Sequence, residues 1–173
     1  IKLRHTRNSI HDKIKKNCLS GGKEMTMTIR YQTTTQPLTE VSRIEDVPSK
    51  ATIVWYDFED ATEKENEFLR NHFDFNYLEI DDAINGIPRA KYKAYEDYQY
   101  IVFHSILTHD YAAIALNVFL QGNTLVTYHH KRFESLKKVV QDNQKHHVSD
   151  LDCADIVIHI LDSMVDKYFN FVY

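Results

Sequence analysis

No run of about 18 apolar residues occurs in this sequence, so nothing in it reads as a membrane-spanning helix. The first residues lack the apolar centre of a secretory signal. Cysteine is nearly absent: Cys18 and Cys153 form no spaced set, which excludes a disulfide framework and a cysteine-rich zinc module. A reducing compartment is the simpler setting, and a single disulfide stays open. Glycine and proline number only four and three, and Gly122 stands alone, so no glycine-rich phosphate loop is present. There is no HExxH and no serine elbow. The paired histidines, His129-His130 and His146-His147, are sequence neighbours whose side chains point to different sides of a strand or helix. These absences remove the common routes to catalysis, and the reading is of a protein that is not an enzyme.

Positive charge is scarce over most of the chain. The net charge is −4, but residues 1–24 are strongly basic and the remaining residues are correspondingly acidic. An acidic body argues against nucleic acid as a partner and suits the attraction of cations. What is abundant is aromatic: eleven Tyr and nine Phe, which favour strands and packed helix faces. With 173 residues the chain can form one domain with a real core. Residues 1–24, broken by Gly21-Gly22, read as a leader or non-native, loosely ordered segment. The natural protein is expected to start at Met25 or Met27, because Gly-Gly-Lys-Glu-Met can be encoded by a purine-rich ribosome-binding stretch.

Residues 25–173 carry the organised pattern. MTMTIRYQTTT alternates and reads as a strand. LTEVSRIEDVP (38–48) reads as a short helix or turn, and ATIVWYDF (51–58) as a buried strand. A helix capped by Asp60 or Thr62 runs to about residue 72, with Phe68, Leu69 and Phe73 as its apolar marks. A shorter helix near 76–84 is expected to turn Leu78, Ile80 and Ile84 inward. Residues 98–107 and 112–120 read as strands joined by Thr108-His109-Asp110, and 124–130 as a third strand after a Gly122-Asn123 turn. Residues 132–143 are helical, and a last helix begins near Ser149. That helix carries Ile156, Ile160 and Met164 on one flank and Val157, Leu161, Val165 and Tyr168 on the next. It has no stop signal, so the protein is expected to continue.

The order of these motifs resembles the CorA family of divalent-cation transporters, in its cytoplasmic N-terminal domain. Trp55-Tyr56-Asp57 matches the family's Trp-x-Asp strand, and residues 60–73 match its capped helix. Leu78 with Asp81-Asp82-Ala83-Ile84-Asn85 matches its Leu and acidic pair, Arg89-Ala90-Lys91 its Arg-Pro-Lys, and Tyr98-Gln99-Tyr100-Ile101-Val102 its next strand. LDSMVDKYF (161–169) is similar to the entry of its long stalk helix. Ala90 departs from the family's proline. The Gly-Met-Asn signature and both transmembrane helices do not occur, so this stretch by itself cannot conduct ions.

The resemblance implies an α/β fold: a three-layer α/β/α sandwich with a mixed β-sheet between two sets of helices. It implies a homopentamer under a membrane pore, on the cytoplasmic side of the cell membrane, sensing Mg²⁺, or Co²⁺ and other divalent cations. Asp82, with Asp81 beside it, matches the family's regulatory Mg²⁺ site at the subunit boundary, and Asp162 matches an aspartate near that interface. Asp155, His159, Asp162 and Asp166 also share one helix face, at a spacing that suits either a polar surface or a transition-metal ion. Two alternatives stand beside this reading: the same domain in a related zinc transporter, and a free-standing metal-binding α/β protein.

Overall fold

The computed structural model describes residues 26–106 and 113–172. The leader segment and the Thr108-His109-Asp110 turn lie outside the described residues.

The strands are β1 (Met27–Gln32), β2 (Thr39–Val41), β3 (Ile53–Glu59), β4 (Lys91–Ala94), β5 (Gln99–Ile106), β6 (Ala113–Gln121) and β7 (Thr124–His129). The helices are α1 (Glu63–His72), α2 (Tyr77–Asn85), α3 (Glu134–Lys145) and α4 (Cys153–Val172). One seven-stranded sheet runs in the order β2-β1-β3-β7-β6-β5-β4. Among the described residues only β3 and β7, at its centre, pair in parallel, so the sheet is mixed. A parallel pair needs a crossover, and here it contains α1, α2 and the β4–β6 meander.

Both faces of the sheet are covered, and the period-2 alternation of the strands says how. In β3, Ile53 and Trp55 point to one core while Tyr56 and Phe58 point to the other. In β7, Leu125 and Val126 divide in the same way. The first core is aromatic, with Tyr100, Phe119 and Tyr128 beneath Leu69, Phe73, Ile80 and Ala83 from the α1–α2 layer. The second is aliphatic around Trp55, with Leu116, Val118 and Leu125 beneath Leu136 and Val139 of α3 and Ile156, Ile160 and Met164 of α4. The expected three-layer α/β/α sandwich is the observed one.

Local chemistry fixes the element ends. Thr62 caps α1, and Glu65 reaches back to the Thr62 N–H at 2.7 Å. Glu65 has no exposed surface and also accepts from the Thr26 hydroxyl and the Met27 N–H, which ties β1 to α1. Asn76 caps α2 by accepting from the Leu78 N–H at 2.9 Å. Gly86 ends that helix at φ +77°. The β6–β7 turn is Gly122-Asn123, with Gly122 at φ +56°, as a two-residue hairpin requires.

The structure adds two edge strands and corrects two expectations. Residues 38–48 hold the expected turn as a single 3-10 turn, Ile44–Asp46, and before it the short edge strand β2, which was not expected. A further edge strand, β4, begins at Lys91, the last residue of the Arg89-Ala90-Lys91 segment. The last helix starts at Cys153, where the Asp152 carboxylate accepts from the Asp155 N–H at 2.9 Å and so caps in place of Ser149. Leu78 is half exposed, because residues two apart on a helix lie about 200° from each other and Ile80 takes the inward direction.

Candidate functional site: a lysine between two carboxylates

The acidic stretch Glu79–Asp82 sits on α2, and its three acids have three different surroundings. Glu79 is buried with no exposed surface. Its Oε2 accepts from Lys91 Nζ at 2.8 Å and its Oε1 from the Tyr95 hydroxyl at 2.8 Å. Lys93 Nζ stands 3.2 Å from the same Oε1. Burial pulls the Glu79 carboxyl upward, but the bonds from Lys91, Tyr95 and Lys93 outweigh it and hold the group below its ordinary range. Asp82 is half-buried, and its Oδ2 accepts from the same Lys91 Nζ at 2.7 Å. Asp81 is exposed.

Lys91 is therefore the centre of the cluster. Its ammonium bridges two carboxylates and lies 5.5 Å from the centroid of the Tyr100 ring. The bonds to Asp82 and Glu79 raise its pKa, so it stays charged. Sequence neighbours do not reveal this arrangement. Lys91 follows Glu79 by twelve residues, and it faces α2 only because β4 pairs with β5 in the register Lys91↔Val102. The one signal available to sequence reading was the alternation Lys91, Lys93, Tyr95, which puts all three on one side of an extended chain.

Asp162 lies elsewhere. It is exposed on α4, whose buried flank packs on the opposite face of the sheet from α2. The central sheet separates it from Asp81 and Asp82, so within one copy of the chain these acids do not meet. Along α4, Asp155 is occupied in the helix cap and Asp166 stands 3.8 Å from Lys138, while His159 is exposed. Among the described residues no group of three or more His, Cys, Asp or Glu side chains is placed to hold a metal ion. Asp81 and Asp82 are adjacent carboxylates at the surface, and Asp82 already shares an oxygen with Lys91.

A second polar cluster was not anticipated. Asp57, Thr127 and His129 lie on the α3–α4 side of β3 and β7, buried beside Trp55. His129 Nε2 is 2.9 Å from Asp57 Oδ1, and His129 Nδ1 is 2.7 Å from the Lys131 carbonyl. Asp57 and His129 are 72 residues apart in sequence and meet because β3 and β7 pair.

The family model described as "CorA-like Mg2+ transporter protein" matches residues 50–173. A protein of Bacillus subtilis (strain 168) named "Putative metal ion transporter YfjQ" is 28% identical over 142 residues, which cover 78% of this chain and 44% of that protein. The chain thus spans less than half the length of that relative. Among solved structures, the soluble domain of CorA from Methanocaldococcus jannaschii superposes with a TM-score of 0.67 at 14% identity, covering 87% of this chain and 60% of that one. The ZntB cytoplasmic domain from Vibrio parahaemolyticus RIMD 2210633 gives a TM-score of 0.63 at 14% identity, covering 84% and 62%. These likenesses agree with the mixed sheet and its two helical layers, and the match of sequence and fold together places the chain in the CorA-like transporter family.

Proposed function

We propose that this domain is the cytoplasmic, cation-sensing part of a Mg²⁺/Co²⁺ transporter, working as a homopentamer beneath transmembrane helices of the whole protein. One observation supports it above the rest. Asp81 and Asp82 on α2, and Asp162 on α4, are surface acids on opposite sides of the sheet. Acids so arranged come close only where one copy of the chain meets the next.

Mg²⁺ suits such a boundary. It is a hard cation that keeps several of its waters and is held by one or two carboxylates. Between copies it offsets the repulsion of their acids. Its loss lets the copies separate, and the difference in affinity between the two states shifts their populations. Asp82 comes to that boundary already sharing one oxygen with Lys91. Its charge is partly neutralised, which keeps the affinity low, as sensing an abundant cation requires. The domain breaks and makes no covalent bond in this scheme.

The alternative is the same sensing domain in a zinc transporter, supported by the likeness to the ZntB cytoplasmic domain. Uptake of Mg²⁺, Co²⁺ and Zn²⁺ by the full-length protein in sealed vesicles separates the two. Mg²⁺ and Co²⁺ are expected to enter, and Mg²⁺ on the domain's side to slow entry less in Asp82→Ala than in wild type. Uptake of Zn²⁺ alone supports the alternative, and no cation uptake overturns both.

A further inference from the structure

The Asp57–His129 pair admits one assignment of protons. Trp55 Nε1 donates to Thr127 Oγ1 at 2.8 Å, so the Thr127 hydroxyl turns its own proton to Asp57 Oδ1 at 2.5 Å. The same oxygen faces His129 Nε2, and the Lys131 carbonyl faces His129 Nδ1. A carbonyl has no proton to give, and a carboxylate already receiving the Thr127 proton is the weaker base of its pair. Both ring nitrogens therefore donate, and His129 is an imidazolium. A neutral ring has a single N–H and would set a lone pair against one of these oxygens. At 2.9 and 2.7 Å both contacts are direct, with no room for a water between the atoms.

The groups around the pair come from four elements. β3 gives Asp57 and Glu59, and β1 gives Arg30. The segment leading into α3 gives the Lys131 carbonyl and Arg132, and α3 itself gives Lys137. The Phe133 ring stands edge-on to the imidazole at 5.4 Å between centroids. Arg30, Asp57, Glu59, Arg132 and Lys137 line a cleft of about 400 Å³ between sheet and helix. Asp57 forms part of that lining, which gives protons a path to the pair.

We propose that His129 and Asp57 form a protonation-dependent clasp that fastens the start of α3 to the sheet. Through the Lys131 carbonyl the charged ring pins the segment just before α3. Through Asp57 it pins β7 to β3. When the ring loses its proton, its remaining N–H stays on the Asp57 carboxylate, the bond to the Lys131 carbonyl is lost, and the first turn of α3 loosens from the sheet. The helix layer formed with α4 then loses one of its anchors. Burial works against the charged ring, but the Asp57 bond and charge, the Lys131 carbonyl and Glu59 outweigh it and hold the group above its ordinary 6.5. The clasp is therefore complete below 6.5 and is lost as pH rises through the raised value.

The test is nitrogen–proton correlation NMR of the imidazoles in the full chain, with hydrogen exchange of the Leu136 amide. At neutral pH both His129 nitrogens are expected to bear protons, with a titration midpoint above 6.5. The protection factor of the Leu136 amide, which bonds to the Phe133 carbonyl, is expected to fall at least about tenfold through that midpoint. In Asp57→Asn the midpoint is expected to move below 6.5, and in His129→Gln the pH dependence at Leu136 to vanish. A wild-type His129 with one bare nitrogen at neutral pH overturns the clasp whether or not the variants fold. So does Leu136 protection that is flat across the titration.

Discussion

Lys91 and Glu79 form an ion pair 2.8 Å long in which the carboxylate has no exposed surface and the ammonium is one-third exposed. The strand brings the charge in, and the helix supplies a partner that water does not reach. Desolvating a carboxylate is costly, and it is tolerated only because Lys91, Tyr95 and Lys93 all donate to it. Lys91→Met removes the best of the three. The expected loss in urea unfolding is about 1–3 kcal/mol, kept from being larger by the two remaining donors.

The same pair sets a pH dependence. The folded Glu79 carboxyl sits below its ordinary 4.5. Its contribution is therefore complete above 4.5 and lost as pH falls through the depressed folded value. Glu79→Gln is expected to flatten the acid side of the stability curve relative to wild type. An unchanged acid limb in that variant would contradict the assignment.

The orientation of α2 gives a paired test. Ile80 is buried in the aromatic core and Leu78 is half exposed. Ile80→Ala is expected to cost about 2–5 kcal/mol through lost burial and a cavity. Leu78→Ser is expected to stay within about 0.5 kcal/mol of wild type. Similar losses at both positions in chemical denaturation would mean that the helix is rotated.

Cys153 opens α4 on its buried flank, and burial pushes its thiol up to about 12. A thiol in that state is a poor nucleophile. Cys153 is expected to resist alkylation in the native protein and to react once denaturant unfolds it, as followed by mass spectrometry of its peptide. Rapid labelling under native conditions would place it at the surface.

Much of the fold was legible because its central strands are long and alternate. The division of β3 between Trp55 and Tyr56 is a period-2 pattern, and the Ile156–Ile160–Met164 flank is a helical one. The edge strands β2 and β4 were not legible. They are three and four residues long, without a buried residue between them, and their pairing with β1 and β5 is what makes them strands. The acids of α2 were legible as a cluster, but the pairing of Glu79 and Asp82 with Lys91 was not, because it depends on strand register. His129 and Asp57 were invisible as a pair for the same reason, since only the parallel β3–β7 contact joins them.

In the proposed function a hard dication meets Asp82 where one copy of the chain adjoins the next. Its most direct test is the thermal unfolding midpoint of the full-length protein, wild type and Asp82→Ala, with and without millimolar Mg²⁺. A ligand that binds only the native assembly raises the midpoint by mass action. A clear Mg²⁺-dependent rise is expected in wild type and a much smaller one in Asp82→Ala. Equal rises in the two proteins would contradict it.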